Sequence, residues 1–194
     1  PHAAQQFHGS ELGRHLGAVD RPAHRGDPDA ADPPVRPPDQ LRAQHADAAA
    51  EGGIGYLVCS SIAVSTLDEI KTAVDVFSKA GEACKKAGVQ FAYHNHTSEF
   101  DDVEGNRPFD YILNNTDKDL VKMELDLAWA TKAKQDPVAL FKLHPGRYPL
   151  WHAKDLDKTT MSPAEVGTGI VDFKRIFDNS KESGMKYFFV EQDG

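Results

Sequence analysis

Four segments of the sequence end in a side chain that can bind a metal ion. The first is "VQFAYHNHTSEF" (residues 89–100), in which His94 closes a mostly apolar run, and Asp126, His152 and Glu191 stand at the ends of three later runs. Two imidazoles and two carboxylates suit Mn²⁺, Zn²⁺, Co²⁺ or Fe²⁺ better than Ca²⁺ or a thiolate-bound structural zinc. One such residue alone is more often a hydrogen-bonded structural group. Four in equivalent positions favour a shared divalent metal site.

These side chains need a scaffold that brings distant strand ends together, and the sequence after Gly52 has the pattern of one. Apolar strands alternate with helices at intervals of roughly 30 residues. Thr66 and Glu69 form a candidate capping box, and Gly88 a helix stop. This alternation predicts a parallel sheet with helical crossovers. Strands are predicted at 56–61, 89–94, 121–126, 149–155 and 186–192, and helices near 65–88, 108–115, 136–144 and 171–184.

The alternation of side chains within each strand favours a barrel over an open nucleotide-binding sheet. In residues 121–126 the apolar side chains face one way, and Lys122, Glu124 and Asp126 face the other. One face can therefore pack on helices while the other carries polar groups into a shared interior. No glycine-rich phosphate loop follows any predicted strand. Because a parallel barrel gathers the carboxyl ends of its strands on one rim, the four ligand candidates are expected to converge there.

Composition limits the classes of partner. The net charge is −8 and basic residues do not cluster, which argues against a nucleic-acid surface and favours a small molecule. Cys59 and Cys84 lack the spacing of a metal knuckle and are typical of buried thiols in a reducing compartment, so a cytoplasmic location is expected. No apolar run approaches the roughly 18 residues of a membrane span. The sequence leaves open whether the chain forms a homo-oligomer.

The composition of the chain changes near residue 50. Residues 1–50 hold seven of the twelve prolines and five of the nine histidines but no lysine, whereas residues 51–194 hold fourteen lysines and three arginines. We therefore interpret residues 1–50 as an anomalous, unassigned or disordered segment, either foreign to the domain that follows or a proline-rich extension. Residues 51–194 are expected to form a partial barrel that carries the catalytic site.

The later segments resemble the sugar phosphate isomerase/epimerase family, a group of xylose isomerase-like TIM barrels that includes inosose dehydratases and is distantly similar to metal-dependent AP endonucleases. The resemblance rests on "YHNHTSEF", "ELDLAWATKAKQDPVALFKLHPGRYPLWHAKDLD", "EVGTGIVDF" and "FFVEQD", and it runs from about Gly52 to the end. It implies an α/β fold of the (β/α)8 type, of which five strands are readable here, the fourth to the eighth. The barrel is therefore expected to be incomplete.

The resemblance also implies a single divalent metal ion, Mn²⁺, Zn²⁺, Co²⁺ or Mg²⁺, on the four residues already named. Family epimerases usually have a glutamate where His94 stands and a histidine near the position of Trp129, so a symmetrical two-glutamate epimerisation does not follow. Glu191 is the preferred catalytic base and Glu99 the alternative. The residues expected to contact substrate are His96, Lys154 and Trp129.

The implied function is a metal-dependent isomerase or epimerase of a sugar or sugar phosphate, which abstracts a proton beside a carbonyl through an enediolate. Three alternatives remain. The same site could serve a lyase that dehydrates a keto-sugar or an inosose, or the chain could be an inactive fragment or an accessory subunit. A nuclease of the AP endonuclease type would need several metal ions and a basic groove, and the net charge of −8 argues against this function.

Overall fold

A six-stranded parallel sheet forms the centre of the fold. The computed structural model describes residues 4–7 and 38–191. Within these residues the sheet consists, in order, of β1 Ala4–Phe7, β2 Tyr56–Cys59, β3 Gln90–His94, β4 Val121–Asp126, β5 Leu150–Ala153 and β8 Tyr187–Val190, and every neighbouring pair is parallel. The helices cross over between successive strands, which confirms the predicted α/β fold and the incomplete (β/α)8 barrel. The remaining described strands, β6 Asp155–Leu156 and β7 Pro163–Ala164, form a separate antiparallel pair.

The helices follow the predicted pattern with three differences. Residues 171–184 form two short helices, Phe173–Asp178 and Ser180–Ser183, which are separated at Asn179. An additional helix, Leu127–Lys132, begins directly after β4, where the Asp126 side chain accepts the N–H of Trp129. Another additional helix, Pro38–Glu51, precedes β2. The helices are α1 Pro38–Glu51, α2 Leu67–Ala87, α3 Pro108–Asn115, α4 Leu127–Lys132, α5 Pro137–Leu143, α6 Phe173–Asp178 and α7 Ser180–Ser183, with a 3₁₀ turn at Ser98–Phe100.

Helix α2 has the ends that its sequence predicts. Thr66 and Glu69 form a reciprocal capping box, and Gly88 ends the helix with a φ of 78°. Only glycine adopts this left-handed conformation without steric cost, so the chain can turn at once into β3. None of the described helices is both long and apolar enough to cross a membrane.

The two faces of the sheet carry different side chains, as the alternation predicts. Val89, Phe91 and Tyr93 belong to the large apolar core between the sheet and the helices. A smaller apolar cluster lies on the opposite face and consists of Val58, Ala92 and Leu150 with the half-buried Tyr56 and Phe189. This small cluster forms a floor inside the curved sheet. The polar strand ends lie on the same face, one pleat further along each strand.

Strand β5 is shorter than predicted. It ends at Ala153, and the next residues turn away into the β6–β7 pair rather than continuing to residue 155. Asp155 explains the turn, because its buried carboxylate accepts the backbone N–H groups of Leu156, Gly167, Gly169 and Val171. The loop that follows β5 is thus tied to the end of the strand.

The first fifty residues contribute two described elements. Strand β1 pairs in parallel with β2, and α1 packs against α2 through the buried residues Ala46 and Ala49. The interpretation of residues 1–50 as an anomalous segment, with a domain boundary at residue 51, stays a prediction. Residues 1–3, 8–37 and 192–194 lie outside the described part of the chain, so the end of the predicted strand 186–192 does too.

Candidate metal centre

Three of the four predicted metal ligands converge at one point. His94 ends β3, Asp126 ends β4 and His152 lies in β5, with Asp126 and His152 paired in register. One ligand atom from each of the three residues lies within 4.8 Å of the others, and all three side chains are buried. The imidazole rings of His94 and His152 are 4.6 Å apart between centroids. Adjacent parallel strands have brought residues 58 positions apart in the chain to one place.

Asp126 turns one carboxylate oxygen toward the site and uses the other for the fold. Its Oδ1 accepts the N–H of Trp129 at 2.8 Å, which caps helix α4, and its own N–H donates to Asn95 Oδ1 at 3.1 Å. Its Oδ2 is buried without a hydrogen-bond partner among the described residues and lies 3.9 Å from Nδ1 of His152. A buried acceptor without a hydrogen bond is costly, and a bound cation would compensate it.

Glu191 stands beside this group on its solvent side. Its Oε2 lies 2.5 Å from Nδ1 of His152 and 3.3 Å from Nζ of Lys154. The Glu191 side chain is 39% exposed, whereas those of His94 and His152 are each 6% exposed. Glu191 is therefore the one predicted ligand that an incoming molecule could reach directly.

Burial sets the charge state of the site. It lowers the pKa of His94 to about 3, with the positive charge of Lys154 and the neighbouring His96 acting in the same direction. Burial also lowers the pKa of His152. It raises the pKa of Asp126 to about 7, although the N–H of Trp129 and the Lys154 ammonium act to lower it. Both imidazoles are therefore neutral at neutral pH, with a nitrogen lone pair to offer. With a pKa near 7, the buried Asp126 carboxyl is only partly ionised at neutral pH, and a bound cation would favour its ionised form.

These properties fit a divalent metal ion. Two neutral imidazole nitrogens and one carboxylate oxygen, buried and close together, match the mixed ligand sets of Zn²⁺, Mn²⁺ or Co²⁺. His94, Asp126 and His152 would hold the ion, and Glu191 is placed to add a fourth oxygen. The donor chemistry thus agrees with the expectation of one divalent metal.

The residues predicted to contact substrate border the site. Nζ of Lys154 lies 5.0 Å from the ring centroid of Trp129 and 3.7 Å from Oδ2 of Asp126. Lys154 is 3% exposed and Trp129 is half-buried, so the ammonium is held against the ring and the carboxylates. His96 is exposed, and its ring centroid is 4.9 Å from that of His94. Lys154 and His96 thus lie next to the metal ligands, and Trp129 lies against Lys154.

Glu99 is buried rather than exposed on the rim. Its carboxylate accepts hydrogen bonds from the Tyr93 hydroxyl at 2.6 Å, the His96 N–H at 2.8 Å and the Ser98 hydroxyl at 3.1 Å. Tyr93 lies in the core on the helical side of the sheet, and Glu99 is 2% exposed. We interpret Glu99 as the anchor of the loop that carries His96, and its role as an alternative base stays a prediction.

One residue of the site was missed in the sequence. Glu124 is 1% exposed, and its Oε2 lies 3.2 Å from Nδ1 of His94 and 3.3 Å from Nε2 of His152. The sequence pattern could have indicated Glu124 as a site residue, since it precedes Asp126 by two residues and the strand alternation puts both on the inner face. No feature of the sequence indicates that Asn95 accepts the Asp126 N–H, because a strand-end asparagine has many other roles.

Comparison with known proteins agrees with the family resemblance of the sequence motifs. A sequence profile of the xylose isomerase-like TIM barrel matches residues 28–193. An inosose dehydratase of Lacticaseibacillus casei is 24% identical over 148 residues, 66% of this chain and 49% of that enzyme. The chain therefore spans about half the length of the curated relatives it matches.

Solved structures share the fold. A sugar phosphate isomerase/epimerase from Parabacteroides distasonis superposes with a TM-score of 0.72 at 34% identity, covering 80% of this chain and 56% of that one. The IolI protein, solved with a zinc atom bound, superposes with a TM-score of 0.62 at 17% identity, covering 79% and 59%, which is a likeness of fold. The resemblance stated from the sequence motifs is confirmed. The chain belongs to the xylose isomerase-like TIM barrel family.

Proposed function

We propose that this protein is a divalent-metal-dependent isomerase or epimerase, which removes a proton beside the carbonyl group of a sugar or sugar phosphate. The observation that carries the proposal is the convergence of His94, Asp126 and His152 on one buried point, with the exposed carboxylate of Glu191 next to it. Members of the family are sugar isomerases, epimerases and inosose dehydratases, which supports a small-molecule sugar as substrate.

Each group in the site has a distinct part in this proposal. A divalent ion held by the three buried ligands would act as a Lewis acid toward a carbonyl oxygen. Glu191 is the base, because it is reachable from solvent and can accept a proton from carbon. The Lys154 ammonium, 3.3 Å from Glu191, would stabilise negative charge on a substrate oxygen while that proton is on Glu191.

The fate of the abstracted proton defines the reaction. Its return from Glu191 to the neighbouring carbon isomerises the sugar, and its replacement from the opposite face epimerises it. On that opposite side family epimerases have a glutamate, where this chain has His94. The buried His94 ring is a poor proton donor, since burial lowers its pKa to about 3. This asymmetry favours return of the proton by a single group.

Dehydration of an inosose or keto-sugar is the second candidate. It is supported by the similarity to inosose dehydratases and by the presence of only one effective proton-transfer group, Glu191, with the poor proton donor His94 on the opposite side. Here Glu191 removes the proton from the carbon next to the carbonyl, and the hydroxyl on the following carbon leaves as water after taking a proton from Lys154. The enol that remains becomes a dicarbonyl. Atoms balance, because the substrate loses one water and nothing is oxidised by an external agent.

A panel of ketoses and inososes, incubated with the metal-loaded chain in D₂O, tests the proposal. Deuterium on carbon without loss of mass indicates isomerisation or epimerisation, whereas loss of one water mass indicates dehydration. Glu191→Gln is expected to abolish either signal, and Asp178→Asn, a change at an exposed carboxylate on α6, to preserve it. Stoichiometric metal without any exchange would instead support the alternative that the chain is an inactive fragment or an accessory subunit.

A further inference from the structure

We infer that Glu124 is a positioning residue, which selects the ring nitrogen that each site histidine turns toward the metal. The inference rests on the proposed metal site. Its basis is a single carboxylate oxygen, Oε2 of Glu124, which lies 3.2 Å from Nδ1 of His94 and 3.3 Å from Nε2 of His152. The two contacts involve opposite nitrogens of the two rings.

The sheet fixes Glu124 in this place. In the ladder it is paired with His94 on one side and with Leu150 on the other, and Asp126 and His152 form the next pair on the same face. Below it lies the apolar floor that includes Ala92 and Leu150. The Glu124 carboxylate is therefore buried between an apolar layer and the two imidazole rings. A carboxylate in such surroundings is stabilised by N–H donors.

A neutral imidazole has one N–H and one lone pair, so a partner for the N–H decides where the lone pair points. If Nδ1 of His94 donates to Glu124, the lone pair lies on Nε2. If Nε2 of His152 donates to the same oxygen, the lone pair lies on Nδ1. That nitrogen of His152 is the one that faces Asp126 Oδ2 at 3.9 Å and Glu191. Both lone pairs are then available for a metal.

Two observations favour Glu124 as the acceptor. Nδ1 of His94 is buried and forms no hydrogen bond among the described residues, so Glu124 Oε2, 3.2 Å away, is placed to become its acceptor. For His152, Glu191 makes the shorter contact, 2.5 Å from Nδ1 against 3.3 Å from Nε2 to Glu124, but Glu191 is 39% exposed and water can solvate it, whereas Glu124 is buried. The buried carboxylate gains more from the N–H. Carboxylates that hold metal-binding histidines in this way commonly strengthen metal affinity.

Nitrogen NMR of the metal-free chain tests the inference without any activity measurement. With ¹⁵N-labelled histidine at about pH 8, where imidazoles are neutral, long-range ¹H–¹⁵N correlations identify the protonated ring nitrogen. The expected pattern is Nδ1–H for His94 and Nε2–H for His152. Glu124→Gln is expected to relax this preference and to weaken Zn²⁺ binding by about 10- to 100-fold. Glu165→Gln, at an exposed glutamate, is the matched control and should change neither.

The outcomes separate this inference from the proposed function. The opposite tautomer at either histidine of the wild type would overturn the inference, whether or not the variant folds. So would unchanged Zn²⁺ affinity in a folded Glu124→Gln, or a Co²⁺ spectrum showing that the variant has lost a ligand, since Glu124 would then bind the metal itself. If the wild type shows the stated tautomers but binds no metal, tautomer selection by Glu124 stands and the proposed function fails.

Discussion

Replacing Asp155 by asparagine should destabilise the protein strongly, because this residue ties the loop after β5 to the sheet. Its Oδ1 accepts the N–H groups of Leu156 and Val171, at 2.8 and 3.0 Å, and its Oδ2 accepts those of Gly167 and Gly169, both at 2.9 Å. The side chain is fully buried. No neutral side chain of this size can accept all four hydrogen bonds.

The magnitude follows from the number of bonds lost. Asparagine keeps one acceptor oxygen, so two of the four bonds remain and its NH₂ group faces the other two N–H donors. A hydrogen bond to a charged group contributes about 1.5 to 3 kcal/mol. Loss of two therefore predicts a decrease of about 3 to 6 kcal/mol in the free energy of unfolding at neutral pH.

The effect has a defined pH dependence. Burial acts to raise the pKa of Asp155, but the four backbone N–H groups more than offset it and hold the pKa below its ordinary value. A carboxylate whose pKa is depressed in the folded state stabilises it fully above the unfolded pKa, and that stability is lost as the pH falls through the folded pKa. The difference between wild type and Asp155→Asn should therefore be constant from neutral pH to about pH 4 and shrink below it.

Urea unfolding at a series of pH values measures both quantities. The matched control is Asp157→Asn, at an exposed aspartate that accepts the N–H groups of Thr159 and Thr160. Because these bonds are solvated, we expect a loss of less than about 1 kcal/mol there. A loss below about 1 kcal/mol for Asp155→Asn, or a difference that does not shrink in acid, would refute this account of the loop.

Three further predictions concern α2 and the metal. Gly81→Ala should lower the free energy of unfolding, measured in urea, by about 1 to 3 kcal/mol, although alanine has the better helix propensity. The reason is that the new Cβ would lie 2.7 Å from the carbonyl oxygen of Leu120. A stabilised variant would contradict this packing. Thr66→Ala should cost about 1 kcal/mol through loss of the cap to the Glu69 N–H, measured the same way, and no change would contradict the cap. Zn²⁺ at about 100 times its Kd should add about 2.7 kcal/mol to the free energy of unfolding, reversibly with a chelator, and an unchanged melting temperature would count against the site.

Strand alternation made most of the site predictable. Residues 121–126 alternate so regularly that the inner face follows from the period of two, and the parallel order then places the strand ends on one rim. The convergence of His94, Asp126 and His152 needed no further information. The capping box and the terminal glycine of α2 were predictable because local chemistry alone decides them.

Features that depend on tertiary contacts were not predictable. Glu99 occupies a short polar stretch typical of an exposed loop, and only the position of Tyr93 in the folded core makes it a buried anchor. The early end of β5 depends on Asp155, whose four donors include residues up to 16 positions away in the sequence. Glu124 was on the correct face, but its contact with both imidazoles depends on the spacing between three strands.

Metal titration of the metal-free chain tests the central claim most directly, since that claim is that separate strand ends form one metal site. Calorimetric titration with Zn²⁺ or Co²⁺ should give one ion bound per chain. His152→Gln should abolish this binding, and His144→Gln, at a half-buried histidine that follows α5, should leave it unchanged. No saturable binding by the wild type, or equal binding by His152→Gln, would contradict the account.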